Sequence, residues 1–297
     1  MDTTSPPPTS PPTGGRPEAG TRLLGEVITW ACPGAAVRHA DLVAALAAAG
    51  LDERVARELA PRNAFTRACK RLARARVIRQ AAEDASTITF QFTQESRHGD
   101  RYEYELETML TLDKRTGSVT CGLPGLATLA QEELDRCTDA RTGSDVTRIV
   151  QKLFERHADL FPIREKGGAY FVPAAHAAFV GRVEGFLGRV NGRVARFPVP
   201  AGTAEGDRSV QGAVAAGLSA LIDDYRRAVA GFDADTRDGT LARAAERIRA
   251  AKFKVECYAE YLAGEKGRLE GEVAAAGREL RAKVAAIAAS AAPVVSS

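Results

Sequence analysis

The spacing of apolar positions changes several times along this 297-residue chain, and each change predicts a new element. Leu23, Leu24, Val27 and Ile28 recur at helical spacing until Pro33-Gly34 breaks the pattern. A helix over about 37–49 follows, with Leu42, Val43 and Leu46 inward and Gly50 as its stop. Asp52 is placed to cap a short helix carrying Val55 and Leu59, which Pro61 ends. A third helix runs from about 62 to 75 on Phe65, Cys69 and Leu72. The period then drops to two. Ile88, Phe90 and Phe92 share one face of a strand. Tyr102, Tyr104, Leu106, Thr108, Leu110 and Leu112 are expected on one face of the next. The turn Asp113–Gly117 leads to Val119 and Cys121 in a third strand.

Helical spacing returns at about 126–138 and again on Val146, Ile149, Val150, Leu153 and Phe154, with Ser144 or Asp145 as the expected cap. The segment 161–173, FPIREKGGAYFVP, reads as a β-hairpin turning at Gly167-Gly168. A helix over about 174–189 uses Phe179, Val183, Phe186 and Leu187. Val210, Val214, Leu218, Leu221, Ile222, Tyr225 and Val229 mark one more amphipathic helix. A long helix is then expected over about 240–288. Leu241, Ile248, Val255, Leu262, Leu269 and Ala276 recur every seventh residue, with Ala245, Ala259, Val273, Leu280 and Ile287 as the companion seam. Lys252 and Lys266 interrupt that seam, and its second half needs a partner elsewhere in the chain or on another subunit.

These elements predict an α+β protein. It comprises an N-terminal winged-helix-like helical unit, a three-stranded antiparallel sheet, a mixed helix–hairpin middle segment and a long C-terminal helical hairpin or coiled coil. The expected domains are an α+β domain over 21–200 and the helical hairpin over 207–288. Within the first lie a basic helical unit (37–80), the sheet (86–121) and a helix–hairpin–helix (126–190). A Pro-rich arm (1–20) and a tail (289–297) flank them and read as disordered. Pro8 and Pro11 form a P-x-x-P, though a plain flexible arm is the favoured reading.

Composition sharpens this in one respect. The hydrophobic fraction is 45%, but alanine supplies 55 residues, against 11 Phe, 6 Tyr and 1 Trp. Alanine favours helices and fills cores poorly, so the cores are modest. Collagen, a disulfide scaffold and a polytopic membrane protein are excluded. Five dispersed cysteines without a C-x-x-C read as reduced thiols in a cytoplasmic protein.

Charge matters by its distribution. The net is +3, yet residues 51–80 carry nine Lys and Arg against Asp52, Glu53 and Glu58. Three helices, the third Arg-rich, followed by strands, match the order of a winged helix-turn-helix. Arg62, Arg67, Lys70, Arg71, Arg74 and Arg76 are the expected contacts to DNA or RNA, because guanidinium groups pair with phosphates and guanine edges. The competing reading of these residues is a solvated basic helix. Arg164 and Lys166 on the hairpin are a second candidate contact, though a packing unit is favoured there. Leu262, Leu269, Val273, Leu280 and Ile287 are the expected self-association surface.

Catalytic motifs are scarce. The four histidines lie outside any H-E-x-x-H, and no P-loop, dinucleotide fingerprint or G-x-S-x-G is present. The loop FDADTRDGT (232–240) fails the spacing of a calcium loop. No metal site or cofactor is expected. The leading expectation is a non-enzymatic nucleic-acid-binding protein that forms homo-oligomers. The alternative is an assembly protein with a helical partner and no nucleic-acid contact; an enzyme with a dispersed site trails both. No membrane partner is expected.

NAFTRACKRL (63–72), the Leu112–Val119 turn and FPIREKGGAYFVP (161–173) resemble uncharacterised proteins of phage and high-GC bacterial gene sets, over roughly residues 35–230. The resemblance implies no activity, cofactor or site residue.

Overall fold

The computed structural model describes residues 22–32, 34–74, 76–98, 100–164 and 167–291. The expected arm over 1–20, its P-x-x-P, the last residues of the tail and Lys166 lie outside them. In chain order the elements are β1 (Leu23–Ala31), β2 (Val37–Arg38), α1 (His39–Ala48), α2 (Pro61–Ala73), β3 (Arg76–Glu83), β4 (Thr87–His98), β5 (Arg101–Asp113) and β6 (Val119–Cys121). Next come α3 (Pro124–Asp139), β7 (Ala140–Arg141), α4 (Gly143–His157), β8 (Phe161–Pro162), β9 (Tyr170–Pro173), α5 (Ala177–Arg189) and β10 (Arg193–Pro200). The last are α6 (Ala204–Ala230), α7 (Asp238–Cys257), α8 (Ala259–Leu262) and α9 (Lys266–Ala291). The protein is therefore α+β with antiparallel sheets and a long C-terminal helix.

Two compact units form. One comprises Trp30–Ala158 and Ala178–Val194; the other comprises the described residues up to Thr29, Asp159–Ala177 and those from Ala195 on. The N-terminal strand and the 161–173 hairpin thus belong with the C-terminal helices.

The first unit is built on the sheet β3-β4-β5-β6, which has four strands where three were expected. The extra strand is β3. Its Val77 and Ile78 pair with Thr93 and Phe92 rather than continuing the helical unit to residue 80. α2 ends at Ala73, and Arg74 turns the chain with φ +47. α2 and α3 cover one face of the sheet, where Phe65, Ala68, Cys69, Ile88, Phe90, Phe92, Leu110, Leu112 and Leu134 form a core. Phe65 meets Phe90 edge-on at 5.7 Å. A second cluster in this unit stacks Trp30 on Phe154 and sets Phe154 edge-on to Phe179 of α5.

One facing expectation fails for a local reason. Phe92 pairs with Thr108 but Thr93 pairs with Leu106, so Glu107 is an extra residue in β5. Such a bulge reverses which residues point inward. Thr108, Leu110 and Leu112 are buried, while Tyr102, Tyr104 and Leu106 are half or more exposed on the other side.

In the second unit the N-terminal segment is a strand, not a helix. Leu23–Ala31 carries Val27, Ile28, Thr29 and Trp30, types that suit a pleated surface. It lies in the sheet β10-β1-β9-β8, antiparallel to β9. Gly25 is required there, because a Cβ would sit 2.2 Å from the Val172 carbonyl oxygen. The expected hairpin is present: β8 pairs with β9, and Gly167 and Gly168 take φ +68 and +87 in its turn. β2, β7 and β10 were not legible as strands.

The expected continuous helix over 240–288 is interrupted. α7 and α9 are separated by α8 and a tight turn in which Ala263 has φ +43. The chain reverses, and Ile248 of α7 comes to lie beside Gly277 of α9. α6 runs parallel to α9, as the pairs Ser219–Glu272 and Arg226–Glu279 show. Leu218 and Ile222 of α6, Ile248 and Val255 of α7, and Leu269, Val273 and Leu280 of α9 share one core with Phe161 and Phe171. Burial of these side chains stabilises the unit by roughly 1.5–3 kcal/mol each.

Candidate nucleic-acid interface

α2 begins with Pro61 at its first helical position, where a missing N–H costs nothing. Ala64, Phe65, Ala68 and Cys69 bury one side of it against the sheet. This leaves Arg62, Asn63, Thr66, Arg67 and Lys70 on the other side. α4 starts with a reciprocal cap. The Asp145 N–H donates to the Thr142 hydroxyl, and the Thr142 N–H donates to the Asp145 carboxylate at 2.8 Å. The cap is therefore Thr142, two positions before Ser144 and three before Asp145, the residues expected. Val146, Ile149, Val150, Leu153 and Phe154 bury the apolar side of α4.

The polar sides of α2 and α4 line one cleft of about 490 Å³. Arg57, Arg67, Lys70, Arg141, Arg148 and Lys152 line it, against only Glu58 and Asp145 among the acids. Arg67 ties the two helices together with paired bonds to Asp145, both 2.6 Å. Burial pushes the Asp145 carboxyl up, but the bonds from Arg67 and Thr142 outweigh it and hold the group at about 2. Arg141 is only 3% exposed. Its Nη1 donates to the Thr138 and Ala140 carbonyls at 2.9 and 3.2 Å. No carboxylate lies within ion-pairing distance of it among the described residues. Burial, aided by the nearby Arg67 charge, lowers its pKa. The Asp145, Asp139 and Glu58 carboxylates offset this only in part, from beyond ion-pairing distance.

The expected contacts divide sharply. Arg67 and Lys70 line the cleft. Arg62 pairs with Glu83 at 3.0 Å, and Arg71 reaches Glu133 at 3.4 Å. Arg76 makes paired bonds to Glu107, whose carboxyl it holds below the usual range. Those three arginines are engaged within the fold. Arg74 is exposed at the end of α2, away from the cleft lining. Arg164 closes its own hairpin turn by donating to the Gly167 carbonyl. Arg57, Arg141, Arg148 and Lys152 were missed, although Arg148 and Lys152 stand i, i+4 on the side of α4 opposite its apolar stripe.

Four of the expected self-association residues lie in the core of the helical unit. Leu262, Leu269, Val273 and Leu280 are 6% exposed or less, covered by α6 and α7 of the same chain, and Ile287 is half-buried. Their seam is satisfied internally.

Burial pushes the Cys69 thiol up to about 12, which leaves it protonated and unreactive. Among the described residues no group of three or more His, Cys, Asp or Glu is placed to hold a metal ion. No described helix is long and apolar enough to cross a membrane.

The model of DUF6744, a family of unknown function, matches residues 23–293. The chain belongs to this family. No curated protein and no solved structure matches it. The match runs through both units, so the DUF6744 pattern includes the cleft helices and the C-terminal helices alike.

Proposed function

We propose that this DUF6744 protein binds nucleic acid through the cleft between α2 and α4, acting by binding rather than by catalysis. One observation carries the reading. Arg57, Lys70, Arg148 and Lys152 share the cleft with no carboxylate partner among the described residues, whereas the arginines around them are neutralised. Like charges held together raise the local potential and attract a polyanion. Phosphate contacts of this kind position a backbone and carry little sequence information.

α2 occupies the place of the basic helix, and the long β4–β5 ribbon follows it as a wing would. α2 does not stand clear for a groove, however. Its basic side faces α4, so the backbone would run along the cleft with α4 as the second wall.

The test is binding of labelled duplex and single-stranded oligonucleotides across a salt series. Affinity should fall steeply between about 50 and 200 mM salt, because released counterions drive such association. Lys70→Ala/Arg148→Ala/Lys152→Ala should weaken binding tenfold or more at low salt. Absence of binding to either form at low salt would overturn the reading.

A further inference from the structure

The outer face of the C-terminal helices leaves one large apolar side chain, Phe253, in water. α7 and α9 lie side by side, and on the side away from α6 they enclose a groove of about 650 Å³. Ile248, Val255 and Val273, each 8% exposed or less, lie at its floor, with the more open Ala274 and Gly277 beside them. Phe253 stands on α7, one residue from the groove-lining Lys252, and is 66% exposed, the most of any large hydrophobic side chain described. Burying such a ring is worth roughly 1.5–3 kcal/mol, so leaving it in water is costly.

The charges along this groove are segregated by end. Glu256 and Glu270 line one end, Arg249, Arg278 and Arg281 line the other, and Lys252 lies between them. Their internal pairing is weak. Lys252 approaches Glu256 only to 3.9 Å and Lys266 approaches Glu270 to 3.6 Å, with all four side chains 44% exposed or more. Such pairs contribute little and exchange readily.

We propose that this face is the homodimer interface of the protein, with a second copy of the chain as its occupant. Independently of any nucleic-acid binding, the end-to-end charge segregation selects both partner and symmetry. A uniformly acidic or basic helix would be repelled at one end of the groove. A two-fold axis running across the groove turns the second copy end for end. It sets Glu256 and Glu270 of one copy over Arg249 and Arg278 of the other, and the converse, as an isologous interface requires. It also brings α7 antiparallel to its own copy, with the two Phe253 rings near the axis. A two-fold along the groove would set like charge on like charge and is disfavoured.

Sedimentation equilibrium of the full chain, over about 1–200 µM, reads this directly. The wild type should dimerise, with a dissociation constant that rises with salt. Phe253→Ser should raise that constant at least tenfold with an unchanged circular dichroism spectrum, since the residue makes no core contact. Glu256→Arg should weaken the dimer, and adding Arg249→Glu should restore it, because the swapped charges meet again across the axis. A wild type that stays monomeric over the whole range overturns the proposal. So does a dimer indifferent to Phe253→Ser, or a double variant no tighter than Glu256→Arg alone.

Discussion

Two grooves in this molecule are both walled by a pair of helices, yet folding leaves opposite things in them. The α2–α4 cleft keeps unneutralised cations around a buried Arg141. The α7–α9 groove keeps an apolar floor and an exposed Phe253. The difference follows from what each helix pair is packed against. α2 spends its apolar side on the sheet, so only its polar side remains to face α4. α7 and α9 spend their apolar seam on α6, and the small residues Ala274 and Gly277 between them leave a groove rimmed by charges of both signs. The first groove therefore holds an excess of cations, and the second holds charges of both signs beside an exposed ring.

The sharpest way to separate core from contact surface is within the helical unit. Leu269→Ala should destabilise the protein by about 3 kcal/mol in denaturant unfolding, because Leu269 is fully buried and a cavity remains. A cost under about 1 kcal/mol would mean that the seam is not closed within the chain. Phe65→Ala should cost about 4 kcal/mol at the corresponding position of the sheet unit.

The cleft makes a different prediction. Lys70→Ala/Arg148→Ala/Lys152→Ala should reduce the slope of log affinity against log salt by about 2 to 3, while leaving unfolding midpoints nearly unchanged. If stability falls instead, those side chains hold the fold together and the contrast between the grooves collapses.

The Arg67–Asp145 pair gives the contrast a pH signature. The Asp145 carboxyl is depressed from 3.8 to about 2, so its contribution to stability is complete above about pH 4. That contribution is lost as pH falls from about 4 to 2. Asp145→Asn should flatten acid unfolding in that window. An identical acid titration in the variant would show that the pair does not join α2 to α4. The smallest effect is expected at Phe253→Ser, which should change monomer stability by less than about 0.5 kcal/mol. A larger loss would place that ring in the core rather than on a contact face.

Much of the fold was readable residue by residue. α1 with Gly50 as its stop, the buried side of α2, the β4–β5–β6 meander and the glycine-tipped hairpin all follow from local periodicity and turn chemistry. What was missed depends on a neighbour. Leu23–Ala31 has apolar spacing compatible with a helix, and its pairing with β9 makes it a strand. The inward face of β5 depends on Glu107 being left out of register, which alternation alone does not reveal. The heptad after residue 240 reads as one long helix, but the turn at Ala263 splits it, so that α7 and α9 pack on each other and on α6.

The candidate site was half legible for the same reason. Charge density pointed to α2, and Arg67 and Lys70 do line the cleft. Which of its neighbours remain available was invisible, because Glu83, Glu133 and Glu107 are brought to Arg62, Arg71 and Arg76 only by folding. Local sequence determined the helices, the strands of the meander, the buried side of each and the concentration of charge, since periodicity and propensity act over a few residues. Tertiary structure alone decided which cations are neutralised, which helix closes the seam and where α4 meets α2. The contacts that do this join positions as far apart as Arg67 and Asp145, and no local pattern encodes a pairing across 78 residues.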